Sequence, residues 1–313
     1  MVKKIFIGLL LLVVLAVVGL TAFFTFRPNL IVSKEKAKAD LAQPSSHFIN
    51  WRGAEIHYTE EGTGQPVLLV HGFGGSFRNF QKLNDSLKNE YRVVRVDLPG
   101  FGLSDQPATD SKTNFVDLYH DFMTFFVDTL HLDSVYVVGN SMGGMMAWGM
   151  AEHSPWRVKK LVLLNAAGYE LDKVAKGATG FLTSPVGQFM FRKGMPLKFS
   201  QGGAKTCYAD DSKINWAEAA VNNELWNREG NIAAAFAMAS SKTFPDSSRI
   251  TSITCPTLIV WGKQDEIIPL AHAEKFHRDI KNSQVIIYDP CGHCPMIEVP
   301  ELLTPDIRKF FNE

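Results

Sequence analysis

Short apolar runs that alternate with helical patterns dominate this chain from residue 47 onward. The runs VLLV, VYVV, LVLL and TLIVW are almost continuously apolar, as parallel strands buried on both faces are. This alternation indicates right-handed βαβ units and therefore an α/β fold with a mostly parallel, doubly wound sheet. The first two runs, joined around Arg52 and Gly53, instead predict an antiparallel hairpin. The predicted strands are 47–51, 55–59, 67–70, 92–96, 134–138, 160–164, 257–261 and 284–288, and helical patterns cover 115–130, 142–152, 270–279 and 300–311.

The alternation breaks once, between the strand that ends at Leu164 and the strand that begins at Thr257. A structureless loop of this length is improbable in a compact domain, and residues 216–240 have a helical pattern. The sequence therefore predicts a helical lid over 169–249. This lid interrupts an α/β core formed by residues 47–168 and 250–313.

The amino-terminal segment has a different character. Residues 5–26 form a 22-residue run without a charged side chain, and at ~1.5 Å per residue such a helix would cross the ~30 Å hydrocarbon layer of a membrane. We predict a single-pass anchor over residues 1–27 and a polar tether over 28–46. A cleaved secretory signal is the alternative, although its apolar region is usually only ~7–15 residues long and no small-x-small cleavage site is evident.

The orientation of this segment depends on competing charges. Lys3 and Lys4 favour a cytoplasmic amino terminus, which would put the main domain outside the cytoplasm. Four cations lie just beyond the run and oppose this orientation: Arg27, Lys34, Lys36 and Lys38.

Composition excludes several classes of protein. The chain of 313 residues is 46% hydrophobic and 20% charged, which excludes a disordered protein. Its 32 Lys and Arg balance 32 Asp and Glu, which argues against a nucleic-acid partner. The sequence has no G-x-G-x-x-G motif or P-loop and too few His, Cys and carboxylate clusters for a metal site. We therefore expect no cofactor and no metal.

The most specific motif is the sequence GNSMGG, which starts at Gly139 directly after VYVV and before a helical pattern. A G-x-S-x-G sequence between a strand and a helix is typical of a nucleophile elbow, in which a strained turn raises the serine above the sheet. The following helix directs its first N–H groups toward the reacting centre. Ser141 is therefore the predicted nucleophile, although the motif alone also occurs by chance.

A serine nucleophile needs a base and an orienting carboxylate, in the chain order Ser, Asp or Glu, His for this kind of elbow. Asp265 follows the run TLIVWG, and His293 follows QVIIYD. Both lie just beyond the carboxyl ends of predicted strands, at the sheet edge where Ser141 is expected. Glu266 is the neighbouring rival of Asp265 but lies farther from the strand. Asn165 also follows a predicted strand, the run LVLL, but an amide cannot supply the charge of the acid.

The reaction also needs donors for the negative charge of a tetrahedral intermediate. The loop HGFGG after VLLV and the residue after the nucleophile provide them, so the predicted donors are the backbone N–H groups of Phe73 and Met142. His71 is interpreted as a brace for this loop. The sequence DLPGFGLSD, from Asp97 to Asp105, is interpreted as a structural turn beside the site.

Together these motifs resemble the α/β-hydrolase superfamily over residues 47–312. The carriers of the resemblance are HGFGG, DLPGFGLSD, GNSMGG, WGKQD and CGHCPMIEVPE, in that order. Within the superfamily the chain resembles membrane-anchored monoacylglycerol lipases and small bacterial lipases and esterases. The resemblance implies a Ser141–His293–Asp265 triad and hydrolysis of carboxylic esters.

Other activities of the same scaffold stay open. Meta-cleavage-product hydrolases, which cleave carbon–carbon bonds, also often carry GNSMGG but typically have an aromatic residue where this chain has Cys294. Dehalogenases and epoxide hydrolases place an aspartate at the elbow, which Ser141 excludes, whereas cofactor-free haloperoxidases share the triad. A tethered binding protein is the non-enzymatic alternative, and it would normally have lost part of the triad.

Four cysteines are too few for a disulfide scaffold. The sequence CGHC, from Cys291 to Cys294, resembles a redox motif, but it lacks the helix start that such a motif requires. Pairing of these two cysteines in an oxidising compartment would still modulate the loop of His293. Cys255 is interpreted as a core thiol.

Substrate preference follows from the predicted lid, which is rich in apolar side chains. Phe181, Phe189 and Phe191 are the predicted substrate-binding residues, and they suit a small-molecule ester or lipid with an acyl chain of moderate length. An ordinary lid core would show the same composition.

Overall fold

A computed structural model of the chain describes residues 2–110, 112–170, 184–241 and 244–313. Its eight-stranded sheet has the order β1-β2-β4-β3-β5-β6-β7-β8. The strands are β1 (Ser46–Trp51), β2 (Ala54–Glu61), β3 (Pro66–Val70), β4 (Arg92–Val96), β5 (Val135–Asn140), β6 (Val158–Leu164), β7 (Thr257–Gly262) and β8 (Ser283–Tyr288). Strands β3 to β8 are mutually parallel, and β1 and β2 form the antiparallel hairpin that the sequence predicts.

Helices cover both faces of the sheet. In chain order the described helices are α1 (Val2–Phe26), α2 (Lys34–Leu41), α3 (Gln81–Leu87), α4 (Phe115–Thr129), α5 (Met142–His153), α6 (Pro185–Phe191), α7 (Leu197–Lys205), α8 (Trp216–Trp226), α9 (Asn231–Ser240), α10 (Ala271–Asp279), α11 (Pro295–Glu298) and α12 (Pro300–Asn312). Short 3-10 turns add Phe77–Phe80, Asp211–Lys213 and Ser247–Ser252.

Alternate residues of the central strands face opposite cores. Leu68 and Val70 of β3 pack in the core beneath α4, α5 and α10, while Val67 and Leu69 pack in the core beneath α3 and α12. Because both faces are buried, the strands read as continuous apolar runs. The predicted α/β-hydrolase fold is confirmed, and its sheet carries the carboxyl ends of β5, β7 and β8 to one edge.

Helices α6 to α9 lie between β6 and β7, within the predicted lid. We call the described part of this insertion, residues 184–241, the cap segment. The helical pattern predicted over 216–240 forms two helices instead of one. Gly230, with a φ of +94°, lies directly before α9 in a left-handed conformation that glycine adopts without strain. The chain therefore turns between α8 and α9.

The predicted polar tether over 28–46 is more ordered than its composition suggests. It contains α2, whose Ala37 and Leu41 lie four residues apart and are buried together against Phe77. Upstream, Val32 forms a parallel bridge with Arg228 of the cap segment. Burial of these two side chains on one helical face stabilises the docked position of α2. The lysines of this helix make the segment polar on average, so its composition does not indicate the docking.

Helix α1 ends in contact with the cap segment. Arg27 Nη2 donates to Met190 O at 2.7 Å, and Lys193 Nζ donates to Thr25 O at 2.7 Å. Taken over its described residues alone, the structure contains no helix that is long and apolar enough to cross a membrane.

Candidate active site

Ser141 lies in a strained turn between β5 and α5. Its φ of +55° and ψ of −119° are unusual for a residue with a side chain, and its carbonyl oxygen accepts from Met145 N at 3.1 Å in the first turn of α5. The amide of Ser141 donates to Leu164 O at 3.1 Å, which ties the turn to the end of β6. The hydroxyl has no hydrogen-bond partner among the described residues, so it is free to meet a substrate.

Two glycines make this turn possible. A Cβ at Gly139 would lie 2.3 Å from Gly143 O, and a Cβ at Gly143 would lie 2.1 Å from Val70 O. Any side chain at either position would force the start of α5 away from the sheet. The glycines of the motif thus hold Ser141 at the carboxyl edge, next to the end of β3.

His293 and Asp265 form a direct pair at the same edge. His293 Nδ1 lies 2.8 Å from Asp265 Oδ2, and both side chains are buried. The other carboxylate oxygen, Oδ1, accepts from Ile267 N at 2.8 Å and Ile268 N at 3.1 Å. The rival Glu266 is exposed. Asp265 is therefore the carboxylate that orients the imidazole and leaves its Nε2 free of described partners.

Electrostatics in this pair favour an ionised acid and a basic histidine. Burial disfavours the carboxylate, but the hydrogen bond and charge of His293 outweigh it and lower the pKa of Asp265. Burial likewise disfavours the imidazolium, yet the hydrogen bond and charge of Asp265 raise the pKa of His293 above its ordinary 6.5. The pair is thus arranged to accept a proton on Nε2 and stabilise the resulting charge.

Asn165 contributes to this pair, although the sequence indicates only that it cannot be the acid. Its Nδ2 donates to Asp265 Oδ2 at 2.7 Å, and its Oδ1 accepts from Gly262 N at 3.3 Å. Asn165 itself has a φ of +45°, a conformation that Asn tolerates better than most residues. The amide therefore fixes the carboxylate that fixes the histidine. Its position directly after β6 is the signal that could have identified it.

The backbone around His293 is held from three sides. Asn140 Nδ2, next to the serine, donates to His293 O at 3.1 Å. The amide of His293 donates to Cys207 O in the cap segment at 2.8 Å. The buried carboxylate of Glu298 accepts from Gly292 N at 2.7 Å and from Ala209 N at 3.0 Å. Motif reasoning missed Asn140, Cys207 and Glu298, because these contacts join segments far apart in the chain.

The predicted oxyanion loop lies against the elbow. A Cβ added at Gly72 would lie 2.9 Å from Ser141 Cβ, so the two turns touch. The amides of Phe73 and Met142 have no acceptor among the described residues. His71 is fully buried, with Nδ1 2.7 Å from Gly72 O and Nε2 3.0 Å from Leu98 N. These contacts assign the Nδ1-protonated tautomer, and burial lowers the pKa of His71. The residue braces the loop, as the sequence indicates.

Asp97 holds the segment that directly follows the predicted oxyanion loop. Its Oδ1 accepts from Phe77 N at 2.6 Å, and its Oδ2 accepts from Leu103 N at 2.8 Å and lies 2.7 Å from His57 Nδ1. Burial disfavours this charge, but His57 and the backbone donors outweigh it and lower the pKa of Asp97. A single buried carboxylate therefore connects the end of β4, the turn at Leu103 and the segment after the oxyanion loop.

The predicted substrate-binding residues differ in their positions. Phe181 lies outside the described residues. Phe191 is buried, packs against Phe199 with ring centroids 4.7 Å apart, and lines a cavity of about 490 Å³ between α6, α9 and Ile31. Phe189 is half-buried beneath the guanidinium of Arg192, which lies 4.3 Å from its ring centroid. None of the triad residues lines this cavity.

Aromatic side chains surround the oxyanion loop itself. Phe73 contacts Phe101 and Trp226, with ring centroids 5.4 and 5.8 Å apart. Trp226 ends helix α8, so the cap segment supplies one wall of the site. Within the described part of the chain, no three His, Cys, Asp or Glu side chains are grouped so that they could hold a metal ion.

Comparison with known proteins agrees with this geometry. The family described as alpha/beta hydrolase fold matches residues 65–300. The chain is 31% identical over 261 residues to 2-hydroxy-6-oxo-6-(2'-aminophenyl)hexa-2,4-dienoic acid hydrolase of Metapseudomonas resinovorans, covering 81% of this chain and 86% of that protein. It is 29% identical over 285 residues to Lipase 3 of Moraxella sp. (strain TA144), covering 90% of this chain and 88% of that protein.

A solved structure shows the same architecture. A mutant of the meta-cleavage product hydrolase from Pseudomonas fluorescens IP01, complexed with acetates, superposes with a TM-score of 0.73 at 25% identity. The match covers 85% of this chain and 97% of that one. The family match, the observed sheet and the relatives all lead to the same conclusion. This chain is a hydrolase that belongs to the alpha/beta hydrolase fold family.

Proposed function

We propose that the protein is a serine hydrolase that cleaves carboxylic esters through an acyl-enzyme intermediate. The observation that carries the proposal is the 2.8 Å pair of His293 and Asp265 at the sheet edge where the strained turn presents Ser141. A serine, a buried basic histidine and an ionised acid in this order are the components of nucleophilic acyl transfer.

Each residue has a role in the proposed reaction. Ser141 Oγ attacks the ester carbonyl carbon while His293 Nε2 takes the hydroxyl proton, and Asp265 stabilises the imidazolium. The backbone amides of Phe73 and Met142 donate to the oxyanion. His293 then protonates the leaving alcohol, and water hydrolyses the acyl-enzyme by the same route.

The apolar side chains around the proposed site favour an ester with an acyl chain as the substrate. Phe73, Phe101 and Trp226 form an aromatic wall beside the proposed oxyanion donors. Within the described cap segment, the buried cation is Arg228, and its Nη2 already donates to Asp105 Oδ1 at 2.7 Å. Since an anionic substrate needs a cation that is not yet neutralised, this environment favours a neutral ester, such as a monoacylglycerol.

A second candidate is hydrolysis of a carbon–carbon bond in a dienoate. The relative from Metapseudomonas resinovorans, which is 31% identical, is named as the hydrolase of a hexa-2,4-dienoic acid. Cys294, directly after His293, and the paired state of Arg228 argue against it. Both reactions would use the same triad, so only substrates can separate them.

A substrate panel tests the choice between these candidates. The purified chain is assayed with p-nitrophenyl and glyceryl esters of increasing acyl length and with a meta-cleavage dienoate, beside Ser141→Ala as the inactive control. We expect turnover of esters, with kcat/KM rising from acetate to medium acyl chains. Cleavage of the dienoate with no ester turnover would replace the ester proposal by the second candidate.

A fluorophosphonate probe tests catalysis independently of substrate. We expect it to label the folded wild-type chain at Ser141 and to leave Ser141→Ala unlabelled. A folded wild-type chain that resists the probe would instead favour a binding protein on a hydrolase scaffold.

We further propose that α1 anchors the protein in a membrane, with the main domain outside the cytoplasm. Residues 5–26 carry no charge, and apolar side chains of α1 such as Phe6 and Leu12 are more than half exposed, at 68% and 64%. The contacts of Arg27 and Lys193 would hold the cap segment near the membrane surface, where lipid esters are available.

Membrane fractionation tests the anchor. We expect the full chain to remain in the membrane pellet after carbonate extraction, with an intact amino terminus by mass spectrometry. A shortened mature chain in the soluble fraction would indicate the cleaved signal instead. Digestion of intact cells or spheroplasts by an added protease reports the orientation.

A further inference from the structure

Two thiols meet where the cap segment touches the loop of the proposed catalytic histidine. Cys207 follows α7, and Cys294 directly follows His293. Cys207 packs against the buried cluster that contains Cys294, and both cysteines are unpaired thiols in this structure. The CGHC sequence suggests a different partner, since it would let Cys294 pair with Cys291 in an oxidising compartment. The thiol of Cys291 instead points to Gly292 O, at 3.6 Å.

The backbones of the two cysteine-bearing segments are in direct contact. The amide of His293 donates to Cys207 O at 2.8 Å, and a Cβ at Gly292 would lie 2.6 Å from that same oxygen. Glu298 adds a second connection by accepting from both Gly292 N and Ala209 N. A disulfide needs sulfur atoms about 2.0 Å apart and Cβ atoms about 3.8 Å apart. The backbone contacts hold the two cysteine-bearing segments against each other, and a disulfide requires this proximity.

The two thiols are unequal in reactivity. The hydrogen bond from Cys294 lowers the pKa of the Cys207 thiol, with help from the nearby charge of His293, and the same bond raises the pKa of Cys294. Cys207 also has partial solvent exposure, whereas Cys294 is buried. The other cysteines differ, since burial raises the pKa of Cys255 to about 11 and that of Cys291 to about 12. A low thiol pKa with solvent access marks Cys207 as the attacking sulfur.

We propose that Cys207 and Cys294 form a redox modification site that takes a low-molecular-weight disulfide as its oxidant. The Cys207 thiolate attacks one sulfur of the small disulfide, which forms a mixed disulfide and releases one small thiolate. The released small thiolate takes the proton of Cys294, and the Cys294 thiolate attacks Cys207 Sγ. The Cys207–Cys294 bond forms and the second small thiolate leaves. The protein dithiol is oxidised by two electrons, and the small disulfide is reduced to two thiols.

The cross-link would act on the proposed reaction through His293. It would fix the cap segment covalently to the residue beside the base and draw Cys294 toward the cap. Cap segments that must open for substrate or product lose turnover when they are locked. We expect oxidation to lower the rate at which Ser141 reacts, and a dithiol reductant to restore it. This consequence rests on the proposed function, whereas the cross-link itself does not.

Mass spectrometry of the oxidised full chain tests the site. The protein is incubated with oxidised glutathione, quenched by alkylation and digested without reduction. We expect a Cys207–Cys294 cross-linked peptide and, in a sample measured before alkylation and digestion, an intact mass lower by two hydrogen atoms. Cys207→Ser and Cys294→Ser must each abolish this product, while Cys255→Ser and Cys291→Ser keep it. A Cys291–Cys294 peptide, or glutathione adducts without a cross-link, would overturn the proposal.

The rate of fluorophosphonate labelling tests the regulatory consequence on the same samples. We expect about a fivefold slower reaction at Ser141 after complete cross-linking, reversal by dithiothreitol, and no effect of the oxidant on Cys207→Ser. An unchanged rate in fully cross-linked protein would overturn the regulatory role. Absence of labelling in both reduced and oxidised protein would count against the hydrolase proposal, while the cross-linked peptide would still decide the site.

Discussion

Asn165 and Asp265 are one hundred positions apart in the chain, yet their side chains are 2.7 Å apart in the structure. The amide donates to the same carboxylate oxygen that faces His293. Asn165 is therefore a positioning residue for the proposed triad, since it restricts the rotation of the acid. Sequence reasoning recognises what an asparagine cannot do at this position, but its contribution depends on a neighbour that only folding supplies.

Two substitutions of Asn165 separate its hydrogen bond to Asp265 from the backbone strain at this position. Asn165→Gly tolerates the φ of +45°, whereas Asn165→Ala does not. Both remove the donor to Asp265, so we expect both to lower kcat/KM by about tenfold, as loss of a charge-assisted hydrogen bond of about 1.4 kcal/mol implies. Only the alanine variant should lose a further ~1 kcal/mol of unfolding free energy. Steady-state kinetics and urea unfolding measure the two effects, and wild-type kinetics in the glycine variant would contradict the positioning role.

The pH profile reports the environment of His293. Only the neutral imidazole can accept the serine proton, and Asp265 raises the pKa of His293 above 6.5. Activity should therefore rise with pH, and the midpoint of the acid limb of kcat/KM should lie above 6.5. Asp265→Asn removes the raising charge, so the residual activity of this variant should have a lower midpoint. A wild-type midpoint below 6.5 would show that burial dominates over Asp265.

At the scale of elements, α11 and the cap segment share one buried carboxylate. Glu298 accepts from Gly292 N, Ala209 N and Asp210 N at 2.7, 3.0 and 3.2 Å. The histidine loop and the cap thus depend on the same acceptor. A motif search treats the two segments separately and does not detect this connection.

Glu298→Gln tests that connection. The amide has one acceptor oxygen in place of two, and its NH₂ group faces backbone donors, so we expect a loss of about 2 kcal/mol in unfolding free energy and a lower kcat. Glu301→Gln, at an exposed position at the start of α12, is the matched control and should change neither quantity. Equal behaviour of the two variants in thermal unfolding and ester turnover would refute the shared role of Glu298.

At the scale of the whole molecule, the strands of the sheet are predictable from the sequence, whereas contacts between distant segments are not. Each of the eight predicted strands overlaps its observed strand closely. For β3, β5, β6 and β7 the reason is burial on both faces, which leaves a short and nearly continuous apolar run in the sequence. The elbow and the acid are predictable because they follow two such strands, β5 and β7, whereas the histidine follows the mostly exposed edge strand β8 and is predicted from the chain order of the triad. The partner of Cys294 and the docking of α2 were not found, since both depend on contacts between distant segments.

The junction of α1 with the cap segment is also a property of the whole molecule. Arg27 is buried and donates to the carbonyl oxygens of Met190 and Gly194. We expect Arg27→Ala to speed amide hydrogen exchange in α6 and the residues that follow it, because two bonds that cross the junction disappear. Lys198→Ala, on the exposed face of α7, provides the control. Unchanged exchange in α6 would show that α1 does not support the cap segment.

The contacts of Asp97 have a consequence for the energetics of turnover. This carboxylate holds β2, the turn at Leu103 and the segment after Gly75 through contacts that lie entirely within the protein. The proposed donors at Phe73 and Met142 therefore need little reorientation when charge develops on a bound ester. The reorganisation energy that water would require at every reaction cycle is instead incurred once, when the chain folds.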